Sequence, residues 1–326
     1  MACMNINGSI YKIKGIYDIS VTVPDSFVVN DNKTCDGHGE AKLYMGSKEH
    51  MRNFYAGDPN NSGFEVQCIV LKKDLIHYMN TILREYRYPS IHYRGQGDKN
   101  SMYKLWKHRF GEIQKLTDVI EFKVREQAQI KGARGYVKVV GNPLKGGYGV
   151  IRTISLPFVS YISVMKLEDN QTGKSIFYWK LFTDFSQMAE QQNWAKQYGK
   201  KKYVNKEKKR DGQIKYRQDL FSQFGHCPFS KIDDVKLLIA SHIKPWAVCD
   251  KKEKNDPNNG FMLSPLYDKL FDRGYISFED NGQLKISDWL SEDNKARIDF
   301  DFQIDDLHLT EGRKKYLDYH RKNVFK

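Results

Sequence analysis

Hydrophobic and polar positions change rhythm twice along the chain. From Met1 to about Ser186 the segments are short, alternating and aromatic-rich. Ile16–Val23, Phe64–Leu71, Tyr136–Val140 and Gly149–Leu156 are predicted as strands, and Tyr161–Leu167 and Ser175–Phe182 as a hairpin across the turn-forming stretch Glu168–Lys174. Lys73–Tyr86 and Ser101–Leu116 have the spacing of amphipathic helices. The rhythm then stops: Lys196–Arg217 holds ten Lys+Arg against Glu207 and Asp211, a net of +8, and predicts a solvated linker or an exposed helix. Beyond it, Lys236–Ala240 reads as a short apolar strand, followed by a polar loop and a second strand at Gly260–Leu263. Ser264-Pro265 then opens a helix, as N-cap and first position, that stops at Gly274. Tyr275–Phe278 and Gln283–Ile286 form a hairpin across Glu279–Gly282. The chain is thus expected to be α+β, with a strand-rich mixed N-terminal domain at 1–190, a basic linker at 191–216 and a C-terminal domain at 217–326.

Length and composition fit this division. The 326 residues suffice for two cores, and 40% hydrophobic with 13% aromatic content marks a folded chain. The 53 Lys+Arg against 40 Asp+Glu leave +13, which favours a polyanionic partner. Between Gln127 and Leu167 there is no acid, while Lys131, Arg134, Lys138, Lys145, Arg152 and Lys166 stand among glycines. His92–Arg109 adds Arg94, Lys99, Lys104 and Lys107 beside Tyr93, Tyr103 and Trp106, a mixture suited to nucleic acid. The same residues also suit a solvated sheet face over an aromatic core. Five cysteines without a CxxC pair exclude a four-cysteine zinc ribbon. With no signal peptide and no membrane-length apolar run, the expectation is a soluble cytoplasmic protein with no membrane partner.

Candidate chemistry concentrates after Tyr216. His242 sits where the first short strand opens into the loop, and Asn259 opens the second. Asp268 and Asp272, four apart, share a helix face. Carboxylates are hard ligands for Mg²⁺ or Mn²⁺, and a neutral imidazole can take a proton from water; phosphodiester hydrolysis needs both.

The strings ASHIKPW and NNGFMLSPLYDKLFDRG, with the tail YLDYHRKNVF, closely resemble the HNH nucleases of the ββα-metal fold. The likeness is greatest to the group found in bacterial restriction endonucleases and related defence proteins, and covers about the last 110 residues. It implies that His242 is the general base and that Asn259 positions the base-bearing loop. Asp268 then stands where the third letter, often histidine, ligates the metal. Ser241 occupies the place where many such enzymes put an Asp or His ligand, and Asp272 is the candidate substitute. Lys244, Lys269 and Arg273 are expected to hold the DNA backbone, with Trp246 either beside them or packed.

The expected function is a restriction-type DNA endonuclease using one Mg²⁺ or Mn²⁺ per active site. Its N-terminal domain reads a site or modified base in double-stranded DNA. DNA contacts are expected from Lys208, Lys209 and Arg210 of the basic run, and from Arg94, Lys104, Lys107, Arg134 and Lys145. A single HNH string per chain implies a homodimer for double-strand cutting. The alternatives are a sensor-activated defence effector with non-specific DNase activity and a degenerate, DNA-binding relative.

Overall fold

In the computed structural model, residues 3–17, 21–23, 26–33, 41–89, 92–93, 101–127, 132–183 and 207–326 are described. The chain forms two compact units, Met1–Asp184 and Phe185–Lys326. Together they are α+β, with most strands in the first.

The N-terminal unit is built on one mixed sheet. Its strands are β1 (Cys3–Ile6), β2 (Ser9–Ile16), β3 (Val21–Thr22), β4 (Leu43–Ser47), β5 (Glu65–Leu71), β6 (Val119–Glu126), β7 (Arg134–Val139), β8 (Ser160–Asp169) and β9 (Ser175–Thr183). They run in the order β1-β2-β8-β9-β5-β6-β7-β4, with β3 alongside β8. Among the described residues, only β5 and β9 pair in parallel. The helices are α1 (Lys48–Ala56), α2 (Lys72–Arg87), α3 (Ser101–Gln114) and α4 (Gly146–Ile154). The β8–β9 hairpin lies where the sequence places it, its turn held by Asp169 Oδ1, which accepts from the Gln171 and Thr172 amides at 3.0 and 2.7 Å. β8 is buried on both faces along most of its length, which accounts for its weak alternation.

Three sequence expectations shift. Gly149–Leu156 is not a strand: Gly146–Ile154 is helical, and buried on several sides at once. An apolar run with no polar face carries no period that separates helix from strand. Its small residues instead serve close packing, since a Cβ on Gly147 would lie 2.7 Å from the Phe122 ring. Ile16–Val23 is not one strand either, because β2 ends at Ile16 and β3 spans only Val21–Thr22. Lys236–Leu237 belongs to a 3-10 turn over Val235–Leu237, capped by Asp234 Oδ1 on the Lys236 amide at 2.9 Å.

The C-terminal unit starts its described part with α5 (Glu207–Phe224), so the end of the basic run is helical. Then come β10 (Ile239–His242), β11 (Gly260–Leu263), α6 (Pro265–Asp272), β12 (Ile276–Phe278), β13 (Leu284–Ile286), α7 (Glu292–Arg297) and α8 (Glu311–Asn323). β10 and β11 form an antiparallel ribbon that pairs His242 with Gly260. Tyr216, Leu220 and Phe224, spaced by one helical turn, join Phe261, Leu263, Leu270, Phe271, Phe278 and Leu317 in one core. α6 ends at Gly274 with φ +67°, and its closing bonds run from Gly274 N to Phe271 O and from Tyr275 N to Leu270 O, both 2.8 Å.

Candidate active site

The polar loop between β10 and β11 hangs on Asn259, which is fully buried. Its Oδ1 accepts from the Lys244 amide at 2.8 Å, while Nδ2 donates to Glu253 O at 3.1 Å and meets Cys249 Sγ at 3.2 Å. One side chain thus ties the start and the middle of the loop to the start of β11. Burial pushes the Cys249 thiol up to about 11, so it stays a neutral packing group.

His242 is the last residue of β10. Its ring stacks on Tyr216 of α5, centroids 4.3 Å apart and planes 17° from parallel, and Nε2 lies 3.1 Å from Lys254 O. A carbonyl only accepts, so Nε2 carries the hydrogen and the neutral ring keeps its lone pair on Nδ1. Burial lowers the imidazole pKa from its ordinary value, against the raising effect of the Lys254 carbonyl. Tyr216 also donates from its hydroxyl to Asn259 O at 2.9 Å. One helix residue therefore fixes both the imidazole and the loop anchor.

Asp268 lies in the first turn of α6, half-buried. Burial raises its carboxyl pKa; the nearby Ser241 hydroxyl and Lys269 partly offset this. Ser241 Oγ is itself buried and makes no regular hydrogen bond among the described residues. Successive strand residues point to opposite faces: Ser241 addresses Asp268, whereas His242 addresses Tyr216. No hydrogen bond or ion pair joins His242 to Asp268.

Asp272 is exposed at the end of α6, one turn beyond Asp268. Lys269 is exposed and Arg273 half-buried. Lys244 is occupied by Glu253 at 2.5 Å, and Lys254 lies 3.9 Å from the Trp246 ring centroid, which makes Trp246 a packing partner within the loop. Lys208, Lys209 and Arg210 fall in α5, but their side chains lie outside the described set. In the N-terminal unit Lys104, Lys107, Arg134 and Lys145 are exposed, and Arg94 falls outside the described residues.

Sequence reasoning missed two supports. One is Tyr216, legible in retrospect from the apolar spacing 216, 220, 224. The other is Arg313 of α8, wholly buried, which donates to Gly260 O at 3.2 Å, Pro257 O at 3.1 Å, Gln223 Oε1 at 2.8 Å and His308 O. Desolvation lowers its pKa to about 10, still charged at neutral pH. No local pattern marks an arginine that reaches back some fifty residues.

Among the described residues no three His, Cys, Asp or Glu side chains gather into a metal cage. The Ser241–Asp268 pair nevertheless fits a hard divalent cation. Both contribute oxygen, the buried hydroxyl lies against the carboxylate without a regular hydrogen bond, and Mg²⁺ commonly takes one or two carboxylates and completes its shell with water and phosphate oxygens.

An antiparallel ribbon is followed by a helix, with a histidine closing the first strand and a carboxylate in the first helical turn, a ββα module. Residues 227–279 match the HNH endonuclease family, a span that holds His242, Asn259, Asp268 and Asp272; the chain carries an HNH endonuclease domain. No curated protein matches the chain.

Proposed function

We propose that the protein is a metal-dependent DNA endonuclease of the restriction type, in which the C-terminal unit cuts and the N-terminal unit contacts a site or modified base. The family match over the His242–Asp268 segment carries this reading. The imidazole geometry supports it. Locked by Lys254 O, His242 presents Nδ1 as the acceptor for the proton of an attacking water. Tyr216 and Asn259 hold that ring and its loop in place. Ser241 and Asp268 are the side chains that hold Mg²⁺ or Mn²⁺, with Asp272 one turn away as a further carboxylate. When bound, the ion offsets negative charge on the phosphate and the leaving oxygen. Lys269, Arg273 and the Lys208–Arg210 run supply cations for the DNA backbone, as do Lys104, Lys107, Arg134 and Lys145 on the N-terminal unit. Lys244, paired to Glu253, braces the loop. With one such module per chain, double-strand cutting calls for a homodimer, and a cytoplasmic location follows from the proposed role. No helix among the described residues is long and apolar enough to cross a membrane.

The test incubates the protein with Mg²⁺ or Mn²⁺ and a panel of methylated and unmodified DNAs, then maps the ends. Metal-dependent ends at recurring positions, on one modification state only, are expected. Cleavage unaffected by chelation would refute the metal role, and the absence of cleavage on every substrate would refute the nuclease reading.

A further inference from the structure

Among the described residues, the N-terminal sheet is covered on both faces around β9 and β5 and on one face at β6, β7 and β4. α2 packs on β9 and β5, where Tyr178 of β9 donates to Asp74 of α2. α1 and α4 lie on the opposite face: a Cβ on Gly135 would meet Met51 of α1, and Gly147 of α4 packs against Phe122. Beyond the reach of α2 the sheet continues through β6, β7 and β4. The alternation there is strict, with Ile120, Phe122 and Val124 buried and Glu121, Lys123 and Arg125 exposed. On β7, Gly135, Val137 and Val139 point inward, while Arg134, Tyr136 and Lys138 point out. On β4, Leu43 and Met45 are buried, but Tyr44 is 45% exposed.

The outward residues meet across strands. Tyr44 is registered opposite Tyr136, their rings 5.4 Å apart and tilted by 53°. Lys138 is registered opposite Arg125, and the ammonium of Lys42 lies 5.1 Å from the Tyr136 ring centroid. Two acids share this face, Glu65 beside Lys123 at 3.5 Å and Glu121 bonded to Gln67 at 3.1 Å, and both lie toward β5. The end bearing the tyrosines is cationic.

We infer that this open face of β6-β7-β4 binds an unpaired DNA strand, with bases stacked on Tyr44 and Tyr136 and phosphates met by Arg125, Arg134, Lys138 and Lys42. An exposed sheet surface that offers aromatic faces among cations is a means of holding single strands, because every base has a π-face and each phosphate a charge. A duplex keeps its base faces stacked internally and would use the cations alone, leaving the tyrosines without a role. Charge complementarity selects a nucleic acid, and the ring pair selects its unpaired form. The inference rests on the proposed action on DNA and places one contact of the N-terminal unit.

The test measures fluorescence anisotropy of the full chain, in EDTA so that nothing is cut, with a labelled oligothymidine and with a duplex of equal length. The wild type is expected to bind the strand. Tyr44→Ala/Tyr136→Ala should weaken strand binding by roughly tenfold or more while changing duplex binding less. Tyr44→Phe/Tyr136→Phe keeps the rings and should retain wild-type affinity, which separates stacking from any loss of folding. Unchanged strand affinity in the alanine variant would overturn the inference, as would equal losses on strand and duplex. Metal-dependent nicking of plasmid by the wild type is scored separately. Absent nicking with intact tyrosine-dependent binding refutes the nuclease reading alone, and normal nicking with tyrosine-independent binding refutes the platform alone.

Discussion

Asn259 holds the β10–β11 loop from inside the core. It is fully buried, and its amide satisfies the Lys244 amide near the start of the β10–β11 loop and the Glu253 carbonyl within it. Asn259→Ala leaves those buried groups unpaired at roughly 1–3 kcal/mol each. We expect a loss of about 3 kcal/mol in urea-induced unfolding; a loss under about 0.5 kcal/mol, the size of an ordinary surface change, would mean that the loop does not depend on this amide. His320 carries a pH dependence. It stacks on Phe271 at 3.9 Å, meets Ser277 Oγ and Phe271 O at 3.0 and 3.1 Å, and burial pushes its pKa down to about 3 from 6.5. Below pH 6.5 the unfolded chain gains a proton that the folded chain refuses, so this residue costs about 1.4 kcal/mol of stability per pH unit until the folded pKa is reached. Between pH 7 and pH 5 the wild type should therefore lose about 2 kcal/mol more than His320→Gln. Equal losses would place the titration elsewhere.

At the scale of elements, legibility followed period and punctuation. The β8–β9 hairpin, α2, α3 and the start of α6 at Ser264-Pro265 were readable because alternation, helical spacing or a capping pair marked each one. α4 was not, because its burial on several sides erases the period and its glycines imitate a strand or loop. The Tyr216–Phe224 stripe of α5 lay at the edge of a run whose charge suggested a linker, so its part in the core was hidden by its own lysines. In the candidate site, the placement of His242 at the end of β10, Asn259 before β11 and Asp268 in α6 is legible from motif spacing. The tautomer of His242, the approach of the Ser241 hydroxyl to Asp268 and the Arg313 brace depend on residues distant in sequence and have no local signature. Gly274 was readable as a stop, and the structure adds why it cannot change. Its φ is +67°, and an added Cβ would fall 2.0 Å from Val324 O. Gly274→Ala should cost more than about 2 kcal/mol, combining left-handed strain with the overlap. An unchanged denaturation midpoint would contradict this packing.

At the scale of the molecule, the chain has two compact units, and the proposal gives cutting to one and DNA contact to the other. The net +13 includes the +8 run that leads into the HNH unit, and cations also line the open sheet face of the N-terminal unit. The proposal joins His242 on one face of β10 and Asp268 beside Ser241 on the other in one hydrolytic event. The most direct test is single-turnover plasmid cleavage with saturating Mg²⁺ or Mn²⁺ by the wild type, His242→Ala, Asp268→Ala and the double variant, each checked for folding by circular dichroism. Each single change should slow cleavage by at least about 100-fold. The double variant should be little worse than the poorer single one, because groups acting in one step do not lose independently. Cleavage by His242→Ala at the wild-type rate would contradict the account.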